Sequence, residues 1–441
     1  VKLFGFRPLQ SLLSVTLLYL AVGCSSNSYN GQVSGEVKTR IPWAAEGGAY
    51  SLQEVLLQGI SSISQLSGKF ATFYMYPSVQ GGKISGVTPK TRFLKAGDVY
   101  VPEDIATQQM TVIYAHLQNL AQLDEKMGAG TVNQWPRDVG ISVRFTDHGS
   151  YMTNNAFYDG ETDSMLIVPY VDEDLPIPVN AGILAHEHFH SLYFKLVEKK
   201  IFEARLPNHG ENLRREILGT KAADSSPHSE NEDYHQSLSR GINEGLADFW
   251  AWVYTGDPDF LASSVPSEKA ARTLTAYDKA RVPTAFLKAS DFKRRLDNSM
   301  SKSEVGEFCQ GEIRVAYCLG TDYARTLKYL AGLVQDTRGL SPIESRQVVA
   351  RAVIKSLPLL QAELSVLRAN SWQGAYFEPV RFFEMIQSTL PDLRDTEKTF
   401  LQNFVASTKK ANPLPTISGK PIIAFSGKNN TVTITGVGLG R

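Results

Sequence analysis

Cysteine is scarce in this chain. Three among 441 residues (Cys24, Cys309 and Cys318), with no Cys-x-x-Cys pair, argue against a disulfide-dense scaffold and a thiolate zinc module. An excess of charge is also missing. Lysine plus arginine and aspartate plus glutamate number 45 each, and no basic run stands out, so nothing in the charge pattern suits a nucleic-acid partner. Long apolar runs are absent: Leu9 to Val22 is short for a membrane-spanning helix. No fixed period recurs, which sets solenoids and propellers aside. What remains has ordinary hydrophobic content and enough length for two or three domains around a large core.

The first residues read as a processing signal. Lys2 and Arg7 precede the apolar stretch, which ends Leu20-Ala21-Val22-Gly23-Cys24-Ser25. This resembles a bacterial lipoprotein signal over residues 1–23, with Cys24 as the lipidated residue; an ordinary secretory signal cut nearby is the alternative. Serine after the cysteine favours the outer membrane by that resemblance. The protein is then expected in the cell envelope, lipid-anchored at Cys24, facing the periplasm or the surface. Residues 24–48, rich in Ser, Asn and Gly toward their start, read as a tether. Cys309 and Cys318 are expected to pair in an oxidising compartment, two separate buried thiols being the alternative.

Chemistry concentrates at His186-Glu187-His188-Phe189-His190. Residues i and i+4 share a helix face, so His186 and His190 can aim at one metal ion, with Glu187 beside them as a general base. Asn180 reads as the N-cap of a helix over 181–197. A hydrolytic zinc site wants a third protein ligand and an open position. Glu244 can supply the ligand, and Asp248, one turn on, can fix the tautomer of a ligand histidine. The bland alternative, two metal-free polar helices, would bury two histidines and two carboxylates at high cost. His188 points away and reads as packing. His116 and His148 read as structural, His209 and His228 as solvated. Asp172-Glu173-Asp174 offers the hard oxygens Ca2+ takes, although such a run is more often a solvated loop.

The remaining pattern predicts an α+β chain. Helices are expected over 50–66, 111–127, 244–254, 312–334, 342–357, 359–370, 379–388 and 394–407. Strands are expected over 69–76, 141–145 and 165–168, with a β-hairpin over 422–439.

Three segments together resemble the thermolysin-like gluzincins, the zinc metallopeptidases that include bacterial neutral metalloproteases and fungalysins. They are Asn155-Ala156-Phe157-Tyr158, the HExxH at His186–His190, and Ser239 to Asp248 around Glu244. The likeness spans roughly residues 110–254. It implies a two-lobed fold: an N-terminal α+β lobe (49–197) ending in the zinc helix, a helical C-terminal lobe (236–411), and a linker with a β tail (412–441). It implies Zn2+ on His186, His190 and Glu244, Glu187 as base, and Asp248 orienting His186. Asn155, Ala156 and Phe157 would then bind an extended peptide as an added strand. A monomer acting on peptide or protein substrates is expected.

Two departures stand out. Fifty-three residues separate His190 from Glu244, more than the family keeps, so 198–235 reads as a charged surface insert. No histidine follows His235, where the family uses one to stabilise the tetrahedral intermediate. His235 is the preferred substitute donor, with Tyr234 beside it and Tyr317 and Tyr323 as alternatives. The expected activity is zinc-dependent endopeptidase. The alternatives are an envelope lipoprotein that keeps the fold as a binding or assembly factor, and a zinc hydrolase with a non-peptide substrate.

Overall fold

The structure is a computed structural model, described over residues 33–80, 82–144, 146–147, 150–172, 174–202, 230–275, 312–369 and 377–411. Two mixed five-stranded sheets build the N-terminal part, and helices build the C-terminal part. The first sheet uses β1 (Gly35–Ala44), β2 (Tyr50–Ser62), β3 (Ser67–Gly68), β6 (Phe93–Ala96) and β7 (Val99–Pro102), in the order β3-β2-β1-β7-β6. The second uses β4 (Ala71–Gln80), β5 (Lys83–Val87), β8 (Arg137–Ile141), β11 (Ala156–Asp159) and β12 (Ser164–Ile167), in the order β11-β12-β8-β4-β5. A two-stranded ribbon, β9 (Thr146–Asp147) and β10 (Ser150–Tyr151), lies apart from both.

Helix α1 (Ile105–Met127) packs on the first sheet, capped by the Asp104 carboxylate on the Thr107 amide and ended by Gly128 at φ 85°. Then follow α2 (Ala181–Tyr193), α3 (Lys199–Phe202), α4 (Glu230–Thr255), α5 (Lys269–Arg272), α6 (Glu312–Arg338), α7 (Pro342–Ala369), α8 (Arg381–Thr389) and α9 (Asp395–Ala411). Among the described residues no helix is long and apolar enough to cross a membrane.

Two expectations for the first sheet fail together. Residues 50–66 were expected to be helical and 24–48 a tether; instead β1 and β2 pair antiparallel from Val37 opposite Leu57 to Ala44 opposite Tyr50. The apolar spacing misleads because Leu52 and Leu56 face solvent and a bulge shifts the buried side near Ile60. The next register pair is Gly35 opposite Ile60, so β2 carries an extra residue there. That puts Leu57 and Ile60, three apart, on the buried side, while Leu52 is 69% exposed. Gln118 of α1 then covers part of the edge of β2. Its Oε1 accepts the Gln58 amide at 2.7 Å and its Nε2 donates to the Leu56 carbonyl at 3.1 Å. A second correction is at Pro358, where two expected helices form one, α7. The strand expected at 141–145 lies earlier, over Arg137–Ile141. The helix expected from 244 begins at Glu230, inside the expected insert. Residues 1–32, with Cys24, and the 412–441 tail lie outside the described residues, as do His148, His209 and His228.

His116 is structural, as its place on α1 suggested. Its ring stacks on Trp43 at 4.2 Å and its Nδ1 lies 2.7 Å from the Tyr254 hydroxyl, while its buried Nε2 has no partner. Burial pushes its pKa down to about 3. The unfolded chain, near 6.5, takes the proton first, so this contribution to stability is complete above pH 6.5 and is lost as pH falls toward 3. Between pH 6.5 and 5 the loss is expected to be about 2 kcal/mol. Urea unfolding at several pH values measures it. An unchanged pH slope in His116→Phe would remove His116 as the source.

Candidate metal centre

Helix α2 is buried on nearly every side, which places its polar residues in the interior. Its start is held by Asn180, whose Oδ1 accepts the amides of Gly182 and Ile183 at 3.0 and 3.1 Å. The Asn180 Nδ2 donates to the Phe260 carbonyl and the Ser264 hydroxyl at 2.8 and 2.9 Å. One side of α2 packs on α4 and another touches β11. The sequence thus places the histidine helix between the helix carrying Glu244 and the edge strand.

Three lone-pair donors converge there. His186 Nε2 lies 3.0 Å from His190 Nε2 and 3.3 Å from Glu244 Oε2, and His190 Nε2 lies 3.9 Å from Glu244 Oε1. Ligands about 2.0–2.1 Å from a tetrahedral zinc stand about 3.4 Å apart, so this spacing suits such an ion. The outer nitrogens face acceptors: His186 Nδ1 lies 3.0 Å from Asp248 Oδ1, an ion-pair contact off the line of a hydrogen bond, and His190 Nδ1 faces Asn243 Oδ1 at 2.9 Å. Glu244 Oε2 is buried. Burial lowers the pKa of His186, but its contacts with Asp248 and Glu244 outweigh it and raise it to about 9, so without an ion its Nε2 shares a proton with Glu244 and His190. An ion that displaced the shared proton would meet two imidazole nitrogens and a carboxylate, a donor set that suits zinc.

Two carboxylates compete for the third position. Among the described residues, His186, Glu187 and His190 form a group that could hold a metal ion, with ligating atoms within 4.8 Å of one another. Glu187, however, already accepts the Tyr158 amide on Oε2 at 3.0 Å, and burial pushes its pKa up to about 7. For Glu244, burial pushes upward but His190, His186 and Arg272 outweigh it and hold the carboxyl at about 2. An ionised carboxylate facing two imidazoles suits a ligand, and a carboxyl poised near neutrality suits proton transfer.

Arg272 is the residue that sequence reasoning missed. It arrives on the four-residue helix α5, and its Nε and NH2 donate to the two oxygens of Asp248 at 3.2 and 2.5 Å. The same NH2 lies 3.7 Å from Glu244 Oε2, and the guanidinium sits 4.3 Å from the centre of the Tyr317 ring. Nothing in Lys269-Ala270-Ala271-Arg272 marks this arginine; only the fold brings it to Asp248. Tyr317, on α6, is at the same cluster: the charge of Glu244, then burial, raises its pKa.

The other donor candidates divide. His235 is buried and its Nε2 accepts the Phe377 amide at 3.0 Å. That nitrogen carries no proton while it accepts the bond, so any donation by His235 falls to its Nδ1. Tyr323 donates its hydroxyl to the Pro379 carbonyl at 2.6 Å and stacks on Phe383. The Tyr234 side chain lies outside the described residues. His188 faces Asp124 at 3.0 Å from the far side of α2, a packing pair. Asp172 and Asp174 are exposed, and Glu173 lies outside the described residues. Cys318 is disulfide-bonded, with its partner outside the described residues.

Strand β11 is the outer strand of its sheet. The Asn155 carbonyl accepts the Val168 amide, so Phe157 and Asp159 also turn their backbone toward β12, and Ala156 and Tyr158 turn theirs outward. Asn155 is exposed, and its Oδ1 accepts the Ala156 amide at 2.8 Å. The Tyr158 amide, on Glu187, joins this edge to the centre. No family model matches the chain, and no curated protein matches it.

Proposed function

We propose that the protein is a zinc-dependent endopeptidase. One observation carries this: two imidazole nitrogens 3.0 Å apart and a buried carboxylate within 3.3 and 3.9 Å of them converge beside an edge strand. His186, His190 and Glu244 would hold the ion, Asp248 and Asn243 orienting the two imidazoles. When bound there, zinc supplies a Lewis acid that lowers the pKa of water and polarises a carbonyl.

The chain's own residues do the rest. Glu187 takes the proton from the attacking water and returns it to the leaving amine, a role that needs a carboxyl able to exist in both states near neutrality. The outward carbonyls of Ala156 and Tyr158 accept amide protons from a peptide lying along β11, with Asn155 at its end. Tyr317 donates to the developing oxyanion in place of His235. Arg272 keeps Asp248 ionised and aligned with His186.

The test is metal content with activity. The purified protein is expected to hold one zinc per chain and to cleave casein until a chelator is added. Glu244→Ala is expected to lose most of the zinc. Full occupancy in Glu244→Ala would move the third ligand elsewhere. Zinc binding without chelator-sensitive cleavage would favour a binding or assembly factor instead.

A further inference from the structure

The edge hairpin is fastened to the histidine helix at a second place, remote from the metal ligands. Asp163 turns between β11 and β12 with φ 52°. Its Oδ2 accepts from Lys195 Nζ at 2.6 Å, and its Oδ1 accepts the Tyr158 hydroxyl at 3.0 Å. Arg137 NH2 lies 3.3 Å from the same carboxylate, and its guanidinium is 5.5 Å from the centre of the Tyr158 ring. Lys195 belongs to a π-helical turn, Phe194–Glu198, that continues α2. Its ammonium also donates to Asn133 Oδ1 at 3.0 Å, and Arg137 NH1 donates to that oxygen at 2.7 Å. Gly160, in the same hairpin turn, fits against Phe194: a Cβ there would stand 2.8 Å from the ring.

Burying cations is costly, and apolar residues of similar volume would hold a hairpin as well. Here the Arg137 side chain is 2% exposed and that of Lys195 16%. What the ion pairs add is a fixed geometry. Tyr158 is held at both ends, its amide on Glu187 and its hydroxyl on Asp163. Any shift of Asp163 against Lys195 is therefore passed to the strand facing Glu187.

We propose that Asp163, Lys195 and Arg137 form a clamp that sets the spacing between the edge strand and the histidine helix, and so act as positioning residues for an extended peptide. The proposal rests on the peptidase reading. A peptide long enough to pair with β11 depends on the clamp, and a short one that reaches only the metal does not.

Full-length Asp163→Asn and Lys195→Met, checked for folding and zinc content, test it. For a peptide of eight or so residues, kcat/KM is expected to fall tenfold or more, chiefly through KM. For a blocked dipeptide it should fall less than threefold. Asp163→Glu and Lys195→Arg should recover most of the loss. In Asp163→Asn, hydrogen exchange at the Tyr158 amide should speed up at least tenfold with zinc content unchanged. Equal losses for long and short peptides would overturn the clamp, as would unchanged exchange at Tyr158. A wild-type protein without chelator-sensitive cleavage sinks the peptidase reading alone, because the exchange measurement still decides whether the clamp holds the strand.

Discussion

Glu187→Gln is expected to lower kcat for peptide hydrolysis by on the order of 10²–10⁴ or more and to leave zinc content and melting temperature unchanged. Glutamine keeps the size of the side chain and an oxygen that can accept the Tyr158 amide, so the bond between α2 and β11 survives. His186, His190, Glu244 and their outer partners Asp248 and Asn243 are untouched. Only the capacity to take a proton is removed. The change belongs in kcat more than in KM, since the base acts in the bond-making step. Steady-state kinetics on one peptide, with metal analysis of the same preparation, measures both. A glutamine variant that hydrolyses at the wild-type rate would require another base; one that loses its zinc would make Glu187 a ligand.

Gly320→Val is expected to cost several kcal/mol of stability, beyond the usual 1–3 kcal/mol of core overpacking, and to weaken zinc binding with it. The reason is a crossing of two helix backbones. A Cβ on Gly320 would stand 2.5 Å from the Gly245 nitrogen and 2.8 Å from the Gly241 carbonyl oxygen, and one on Gly245 would strike the Gly320 carbonyl. Backbone atoms cannot rotate away, so α4 and α6 must separate. Glu244 is the residue before Gly245, and Tyr317 lies one turn before Gly320, so the same separation pulls the ligand from the histidines. Gly332 provides the contrast. It lies on α6 with nothing within 4 Å of its missing Cβ, and Gly332→Ala should stabilise by roughly 0.5–1 kcal/mol through helix propensity. Thermal unfolding of the two variants, with a zinc titration, separates crossing from propensity. Wild-type stability and zinc affinity in Gly320→Val would refute the account.

The local parts of the site could be read from the chain. The i, i+4 spacings of His186 with His190 and of Glu244 with Asp248 need only a helix, and Asn180 marks where one helix starts. Residues 156–158 sit on an edge strand, with Asn155 just before it, a placement that rested on resemblance in the sequence and is geometric in the structure. What escaped reading depends on distant partners. The arginine at 272 has no local signal; its role exists only because α5 packs beside Asp248. His235 occupied a suggestive position, but its Nε2 accepts the Phe377 amide. In the first sheet, Leu52 and Leu56 face solvent and one extra residue near Ile60 shifts the buried side, so a strand carried the spacing of a helix face. The partner strand β1 hid in a segment whose composition began as a tether. The deepest irregularity, Pro358 within α7, contradicts a local rule that usually ends helices.

The Asn180 side chain, with one atom on its own helix and another on residues 260 and 264, implies an order of events during synthesis. A growing chain displays both histidines long before it has made the carboxylate at 244, the arginine at 272 or the glycine at 320. Until those arrive, the histidine helix lacks its cap contacts to the later segment and its neighbours on two sides. The metal centre is therefore completed late, from pieces made early and late in translation. On the proposed reading, a nascent chain holds the residues of the centre but not their arrangement, and the hydrolytic chemistry would begin only after the later helices have packed.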